Sequence, residues 1–319
     1  MWERVLDRAG IREPDARREY TAQRRAVRRF APAEYTAARL LLPAPLQPDV
    51  VVLVAFMHET DDRIDRGALP EREAALRRWR ELTDEALTTG TSPHPVLRTL
   101  ARTVRRHPVL RGRVDAFLDG AAQEVAWERF GTETEVERYV EGYSLPALML
   151  SMCLLAPDGD PASAGFERAC LALITAMQRL DFLEDLAQDV REGRVGVSDQ
   201  ALARHGLTLR DLRARTAPAD RVARLVTDQT DVAAASLRTA RSLPGLAAGE
   251  HRPFLRAVLR VQELRSAAVR KAGPSLATRP CGPSPVGCGA VLLRELTRRS
   301  LSLPRTRPRA AATAPGSCP

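Results

Sequence analysis

The chain has 319 residues, of which 44% are apolar and only 4% aromatic, enough for one large domain or two ordinary ones with a sizeable core. Its net charge of +9 lies mainly in residues 1–30 and 271–319, so the body between them is mildly acidic. No stretch interleaves basic with aromatic residues, as a groove for single-stranded nucleic acid requires. We therefore expect no nucleic-acid partner.

Nothing in the sequence indicates a membrane span or a secretory signal. The opening stretch, MWERVLDRAGIREPD, is too charged for the apolar region of a signal peptide. The longest apolar runs, Val50–Met57 and Leu145–Ala156, fall short of the roughly 20 residues that a transmembrane helix needs. We expect a cytoplasmic protein with reduced thiols.

Apolar residues recur every three or four positions along the body of the chain, and proline or glycine separates the runs. This pattern predicts one all-α domain at residues 1–275, with about the first 12 residues loosely held. No repeat of 20 to 50 residues occurs, which disfavours a solenoid. The predicted helices lie near 14–29, 33–42, 48–66, 71–89, 95–106, 109–129, 133–156, 163–192, 208–242 and 251–272.

Residues 276–319 differ from the body in composition. They are rich in Pro, Gly, Ser and Arg, which predicts a poorly ordered basic tail. Within it, AVLLRELTRRSL at 290–301 has the apolar spacing of an amphipathic helix. A basic segment of this kind could rest against an anionic bilayer, so a peripheral membrane contact is a further expectation.

Carboxylates accumulate at the end of the apolar helix predicted at 48–66. The stretch FMHETDDRIDRG places Asp61 and Asp65 four residues apart on one helix face, with Asp62 beside them. Taken alone, such a pair is more typical of a solvated helix face. The apolar run VVLVAF that precedes it favours an interior position, where carboxylates need a compensating charge.

A second acidic stripe lies in the helix predicted at 163–192. The stretch QRLDFLEDLAQD puts Asp181, Asp185 and Asp189 at spacings of four, a stripe about 12 Å long on one face. Two such stripes are tolerable in one bundle if they share divalent cations. Because Mg²⁺ usually binds one or two carboxylates and takes phosphate oxygens as well, the residues predict a Mg²⁺–diphosphate site beside a central apolar cavity.

These motifs resemble those of the squalene/phytoene synthases, the head-to-head prenyl diphosphate synthases. EYTAARLLLPAPLQPDVVVLVAFMHETDDRIDRG is similar to that family's entry segment, in which an LLP turn and an apolar helix lead to a DDxxD motif. QRLDFLEDLAQDVREGRV is similar to its second motif, commonly Q-x-x-N-x-x-x-D-x-x-x-D. DGAAQEVAWERFGTETEVERYVEGY resembles the segment between them. The similarity covers roughly residues 30–270, and the chain looks like a divergent member.

The resemblance implies an isoprenoid synthase-type helical bundle that binds prenyl diphosphates, farnesyl or geranylgeranyl diphosphate, through Mg²⁺ or Mn²⁺. In the family's reaction, one prenyl diphosphate ionises and its C1 alkylates the double bond of a second. The resulting cyclopropylcarbinyl diphosphate ionises again and rearranges to squalene, dehydrosqualene or phytoene. The donor's chain length and the use of NADPH stay open.

Each implied site residue follows from its place in one of the two motifs. Those with a catalytic role are Asp61, Asp65, Asp185 and Asp189. Metal ligands are the same four with Asp62 and Asp181. Residues in contact with the substrate are His58, Gln178 and Arg194.

Several positions depart from the family pattern. His58 and Glu184 stand where arginines are usual, and Asp181 stands where an asparagine is usual. The usual AGTVG-like stretch is replaced by YSLPAL at 143–148, and the usual YLP is replaced by GVS at 196–198. Two alternatives therefore stay open: a terpene cyclase or other enzyme that ionises a single prenyl diphosphate, and a non-catalytic helical binding protein with a degenerate site.

Overall fold

The computed structural model describes residues 2–156 and 164–302, and within them no β-strand occurs. The all-α prediction is confirmed. The first helices are α1 (Trp2–Arg8), α2 (Pro14–Phe30), α3 (Pro32–Leu41), α4 (Gln47–Ile64), α5 (Leu69–Thr89), α6 (Pro95–Arg106), α7 (Leu110–Ala126), α8 (Glu133–Tyr139) and α9 (Leu145–Met152). They are followed by α10 (Ala164–Glu184), α11 (Leu186–Glu192), α12 (Asp199–Arg204), α13 (Leu209–Ala214), α14 (Ala219–Ala240), α15 (Arg252–Ala272) and α16 (Pro285–Ser302).

The local sequence explains where many of these helices begin. Proline, which suits the first turn because its missing N–H needs no partner there, opens α2, α3 and α6. Side-chain oxygens of Thr132, Ser198 and Thr208 cap α8, α12 and α13 by accepting a backbone N–H from the first turn. Short connections between such well-defined ends hold neighbouring helices close together.

One continuous apolar core lies at the centre of the bundle, and α4 and α10 run through it. Nearly every residue from Val50 to Phe56 is buried, so α4 has no purely solvent-facing side over this stretch. It packs against α2 and α6, whereas α10 packs against α14 and α15. The polar ends of these two helices therefore emerge from apolar surroundings. No helix in the described ranges combines the length and apolar character required to cross a bilayer.

The N-terminal residues are not loose, contrary to the prediction. Helix α1 buries Trp2, Val5 and Leu6 in the main core, and the Trp2 indole N–H donates to Thr21 Oγ1 at 3.0 Å. The charges that made this stretch look solvated are paired, because Arg17 of α2 binds both Glu3 and Asp7.

The predicted tail also contains more structure than its composition suggested. Helix α16 begins at Pro285 rather than near residue 290 and packs against α15 and α3. Its buried Glu295 binds Arg256 of α15 and Arg298 on the same helix. Residues 303–319 of the predicted tail lie outside the described residues.

Three predicted helices are interrupted in the structure. The one predicted at 133–156 consists of α8, a π-helical segment at Val140–Ser144, α9 and a short 3₁₀ turn. The one predicted at 163–192 has a break at Asp185, and the one predicted at 208–242 breaks between α13 and α14. Helix α12 was not predicted. The π-helical segment contacts the first carboxylate motif through Tyr143, and the break at Asp185 lies within the second motif.

Candidate active site

The first acidic motif lies at the C-terminal end of α4, where the helix leaves the core. Asp61 is half-buried and accepts a hydrogen bond from the Tyr143 hydroxyl at 3.1 Å. Burial raises the pKa of Asp61 to about 7, with smaller contributions from Asp65 and Glu124. Burial likewise raises the pKa of Asp65. The charged form of half-buried Asp61 is thus poorly solvated, whereas the Asp65 side chain is exposed to solvent.

The π-helical segment connects the first motif to the second. Its wide turn lies directly against α7, where a Cβ added to Gly120 would come within 2.4 Å of the Gly142 carbonyl oxygen. This close approach aims the Tyr143 hydroxyl at Asp61, while the Ser144 hydroxyl donates to Gln178 Oε1 at 2.9 Å. Two adjacent residues of one segment therefore hold a residue from each motif.

The second acidic motif keeps its predicted stripe despite the break at Asp185. The backbone N–H of Asp185 donates to the Asp181 carbonyl, and that of Asp189 donates to the Asp185 carbonyl, both at 2.9 Å. The spacing of four is thus helical in the structure. Burial raises the pKa of Asp189 to about 7, and nearby Asp185 and Glu192 add to the rise. Burial also raises the pKa of Asp185.

Arg194 lies between the two motifs. Gly193, in the left-handed conformation at φ 85°, ends α11 and turns the chain back toward the bundle. The chain then passes so close to the Phe182 ring that a Cβ on Gly196 would lie 2.0 Å from it. The positive charge of Arg194 offsets part of the rise in pKa of both Asp65 and Asp189. The guanidinium is therefore within electrostatic range of both motifs.

Two residues that the sequence did not single out, Glu124 and Tyr139, complete this arrangement. Arg194 donates to Glu124 Oε1 at 2.9 Å, and the Tyr139 hydroxyl donates to Glu124 Oε2 at 2.6 Å. Glu124 is buried, which raises its pKa. The available signal was the spacing of four between Tyr139 and Tyr143, which places both hydroxyls on one side of a helical segment. Glu124 carried no comparable signal.

Aromatic rings form a wall beside Arg194. Trp127, Phe130, Tyr139 and Phe182 contact one another with ring centroids 4.8 to 6.2 Å apart. They belong to a second apolar cluster, distinct from the main core, and the Arg194 guanidinium lies 5.1 Å from the centre of the Trp127 ring. The central apolar cavity stays a prediction, and this cluster is the surface that would line it.

Three of the predicted site residues are engaged elsewhere. His58 is exposed, and its ring stacks on Phe30 with centroids 3.8 Å apart. Asp62 is exposed and binds Arg66 at 2.9 Å. Asp181 binds Arg265 of α15. The structure thus brings Asp61, Asp65, Gln178, Asp185, Asp189 and Arg194 to one region, whereas these three face other partners. Their assigned roles stay predictions.

The donor set fits a hard divalent cation. In residues 2–156 and 164–302, no arginine, lysine or histidine lies within ion-pair distance of Asp65, Asp185 or Asp189. No group of three or more His, Cys, Asp or Glu side chains in those ranges lies close enough together to hold a metal ion by itself. A cation that takes one or two carboxylates and completes its shell with water or phosphate, as Mg²⁺ does, suits such ligands.

Comparison with known proteins agrees with this geometry. The family model described as squalene/phytoene synthase matches residues 27–285. The bifunctional protein CrtB/UppS of Streptomyces coelicolor is 34% identical over 205 residues, which cover 64% of this chain and 36% of that protein. The presqualene diphosphate synthase of Rhodopseudomonas palustris is 26% identical over 183 residues, covering 57% and 63% respectively. The chain thus spans less than two thirds of the length of either relative.

Solved structures share the fold. The squalene synthase HpnC from Alicyclobacillus acidocaldarius superimposes with a TM-score of 0.73 at 24% identity, over 83% of this chain and 98% of that one. A dehydrosqualene synthase in complex with a ligand gives a TM-score of 0.76 at 17% identity, over 90% and 98%. The isoprenoid synthase-type bundle is confirmed. With the family model matching most of its length, the chain belongs to the squalene/phytoene synthase family.

Proposed function

We propose that the chain is a Mg²⁺-dependent prenyltransferase that condenses two prenyl diphosphates head to head and releases diphosphate. One observation carries this proposal: Arg194 lies within electrostatic range of Asp65 in one motif and Asp189 in the other, neither of which binds a basic side chain in the described residues, and it lies beside an aromatic wall. The names of the relatives, which include phytoene synthases and a presqualene diphosphate synthase, support the same reaction class.

The acidic and basic residues would bind the leaving group. Divalent cations, when bound, supply positive charge that stabilises the diphosphate as the C1–O bond breaks. Asp61 and Asp65 from one side, and Asp185 and Asp189 from the other, would hold these ions. Arg194 is oriented by its bond to Glu124 and adds a fixed positive charge near both sets. Farnesyl and geranylgeranyl diphosphate are the donors that we propose.

The aromatic wall would protect the allylic cation that ionisation leaves behind. Faces of aromatic rings stabilise positive charge, and a surface without water keeps the cation from being quenched. Trp127, Phe130 and Phe182 would provide such faces, and the Trp127 ring lies 5.1 Å from the Arg194 guanidinium. The cationic C1 can then alkylate the double bond of the second donor, and loss of a proton closes a cyclopropane ring. The result is a cyclopropylcarbinyl diphosphate with twice the number of carbon atoms. Loss of its diphosphate, rearrangement and loss of a second proton would then give the hydrocarbon.

A second candidate is ionisation and cyclisation of a single prenyl diphosphate. It is favoured by the segment YSLPAL at 143–148, which replaces the usual stretch and lies partly in the π-helical segment that faces Asp61. A non-catalytic helical protein is a weaker candidate. Keeping partly buried carboxylates with raised pKa values costs stability, and a protein with no ligand for them gains nothing from that cost.

Incubation with Mg²⁺ and farnesyl or geranylgeranyl diphosphate tests the proposal. We expect a C30 or C40 hydrocarbon and released diphosphate, measured by gas chromatography of the organic extract and by a phosphate assay after pyrophosphatase treatment. Asp185→Asn should lower turnover by about 100-fold or more, the usual scale for losing charge stabilisation at the reacting group.

The matched control is Asp220→Asn, which removes an exposed carboxylate of α14 that pairs only with Arg224 in the described residues. Its turnover should equal that of the unmodified chain. A C15 or C20 cyclic product would favour the second candidate instead. A folded protein that releases no diphosphate from either donor would exclude both enzymatic candidates.

Removal of the Tyr143 hydroxyl should change the pH dependence of metal binding. That hydroxyl stabilises the charged form of Asp61, so Tyr143→Phe raises the pKa of Asp61 further. Because Asp61 must be ionised to bind a cation, Mn²⁺ binding should then need a more alkaline solution. We expect the half-binding pH to rise by roughly 0.5 to 1 pH unit in titrations followed by electron paramagnetic resonance.

Tyr35→Phe is the control for this change. The Tyr35 hydroxyl contacts Arg24 on α2 and belongs to a different part of the bundle. This variant should titrate like the unmodified chain. An unchanged half-binding pH in Tyr143→Phe would show that Asp61 takes no part in metal binding.

We also propose that α16 makes the peripheral membrane contact. One face of this helix is buried through Val291 and Glu295, whereas the opposite side exposes Val286 (82% exposed) and Leu293 (65% exposed). Exposed Arg294 follows Leu293 in the sequence, and Arg298, which also binds Glu295, is exposed one turn further on. Apolar residues beside arginines are typical of a helix that rests on anionic lipid, where a long-chain hydrocarbon product would dissolve.

Sedimentation with vesicles tests this contact. The chain should bind vesicles that contain phosphatidylglycerol more strongly than vesicles of pure phosphatidylcholine. Replacing Val286 and Leu293 by serine should weaken binding by about tenfold, because two apolar side chains no longer enter the lipid. Val232→Ser, at an exposed position of α14, is the control. Equal binding by all three proteins would contradict a role for α16.

A further inference from the structure

An arginine from α15 binds two acidic residues of the second motif. Arg265 Nε donates to Glu184 Oε1 at 3.1 Å, and its Nη2 donates to both Glu184 and Asp181. The Arg265 and Glu184 side chains are each only 13% exposed, whereas that of Asp181 is 46% exposed. The Arg265–Glu184 pair is therefore largely buried, whereas the more exposed Asp181 contacts Arg265 from the solvent side.

The two carboxylates involved are both departures from the family pattern. Asp181 stands where an asparagine is usual, and Glu184 where an arginine is usual. Relative to that pattern, the net charge of α10 beside Asp185 is lower by three, because two carboxylates are gained and one guanidinium is lost. Arg265 lies opposite these two residues although it is more than 80 residues away in the sequence. One arginine thus offsets part of the charge that two substitutions introduced.

Direct binding of diphosphate by Arg265 is disfavoured by its contacts. Each nitrogen of the guanidinium already donates to a protein oxygen: Nε and Nη2 to the two carboxylates, and Nη1 to Gln262 Oε1 at 3.0 Å. A diphosphate would have to displace these partners. The geometry is that of a group that restrains carboxylates rather than one that awaits a ligand.

We propose that Arg265 is a positioning residue of the diphosphate site. By binding Asp181 and Glu184, it withdraws both carboxylates from the metal-binding stripe, so that only Asp185 and Asp189 of this motif face the cations. It also reduces the negative charge that would otherwise repel the diphosphate. This inference rests on the proposed function, and it assigns Asp181 an anchoring role in place of metal ligation.

Affinity for inorganic pyrophosphate in the presence of Mg²⁺, measured by isothermal titration calorimetry, tests the inference without turnover. Arg265→Gln should weaken this affinity by about tenfold or more, because two unpaired carboxylates then stand near the anion. The triple variant Asp181→Asn, Glu184→Gln, Arg265→Gln should regain affinity to within about threefold of the unmodified chain. It lacks the arginine but also lacks the charges that the arginine restrains.

This rescue distinguishes a positioning role of Arg265 from a purely structural role in which it only holds α10 and α15 together. If Arg265 only holds the two helices together, the triple variant still lacks the tie and should bind no better than Arg265→Gln. Thermal unfolding of each variant is measured alongside. Should Arg265→Gln fail to fold, the inference is tested by comparing the triple variant with the unmodified chain, and a loss of more than tenfold overturns it.

Two further results are decisive. Unchanged affinity in a folded Arg265→Gln would overturn the inference and leave the proposed function standing. Failure of the unmodified chain to bind pyrophosphate with Mg²⁺ would instead overturn the proposed function, and this inference with it. The double variant Asp181→Asn, Glu184→Gln, which keeps Arg265, should bind pyrophosphate at least as tightly as the unmodified chain.

Discussion

The site depends on carboxylates that are partly desolvated and have no arginine or lysine bound to them in the described structure. Asp61 and Asp189 each have a pKa of about 7, well above the usual 3.8, chiefly because of burial. A carboxyl group whose pKa is raised on folding favours the folded state below about pH 3.8, and that contribution is lost as the pH rises through 7. Near neutral pH, a bound cation would offset the free-energy cost of ionising these carboxylates. The fold thus tolerates these residues best with a cationic ligand present.

The rest of the arrangement brings these carboxylates from two distant parts of the chain to one place. Tyr143 and Ser144, adjacent in the π-helical segment, each hold one residue of a different motif. Arg194 is aimed between the motifs by a glycine turn and by its bond to Glu124. The π-helical segment and the close approaches at Gly120 and Gly196 therefore orient side chains that a regular straight helix would point in other directions.

Local pattern accounts for most of what the sequence predicted correctly. The spacing of apolar residues located α2 to α7 and α15 within a few residues, and the spacing of four in Asp181, Asp185 and Asp189 is helical in the structure. Features that depend on distant partners escaped prediction. Helix α1 is held by the burial of Trp2, Val5 and Leu6 in the main core, with its two acids paired to Arg17 of α2.

The same limit applies within the candidate site. Arg265 reaches the second motif from α15, and no pattern in either segment indicates this pairing. Nothing in the sequence distinguishes Glu124 from the other acids of α7; its role follows only from its contacts with Tyr139 and Arg194. The π-helical segment was not predicted, because the spacing of apolar residues indicates one continuous helix at 133–156.

The central claim is that the two acidic motifs form one site for divalent cations and diphosphate. Electron paramagnetic resonance of Mn²⁺ tests it most directly, with the ion titrated into the chain in the presence and absence of inorganic pyrophosphate. The account predicts that pyrophosphate tightens Mn²⁺ binding, and that Asp65→Asn in one motif and Asp189→Asn in the other each abolish this effect. Retention of the full effect in either folded variant would contradict a shared site.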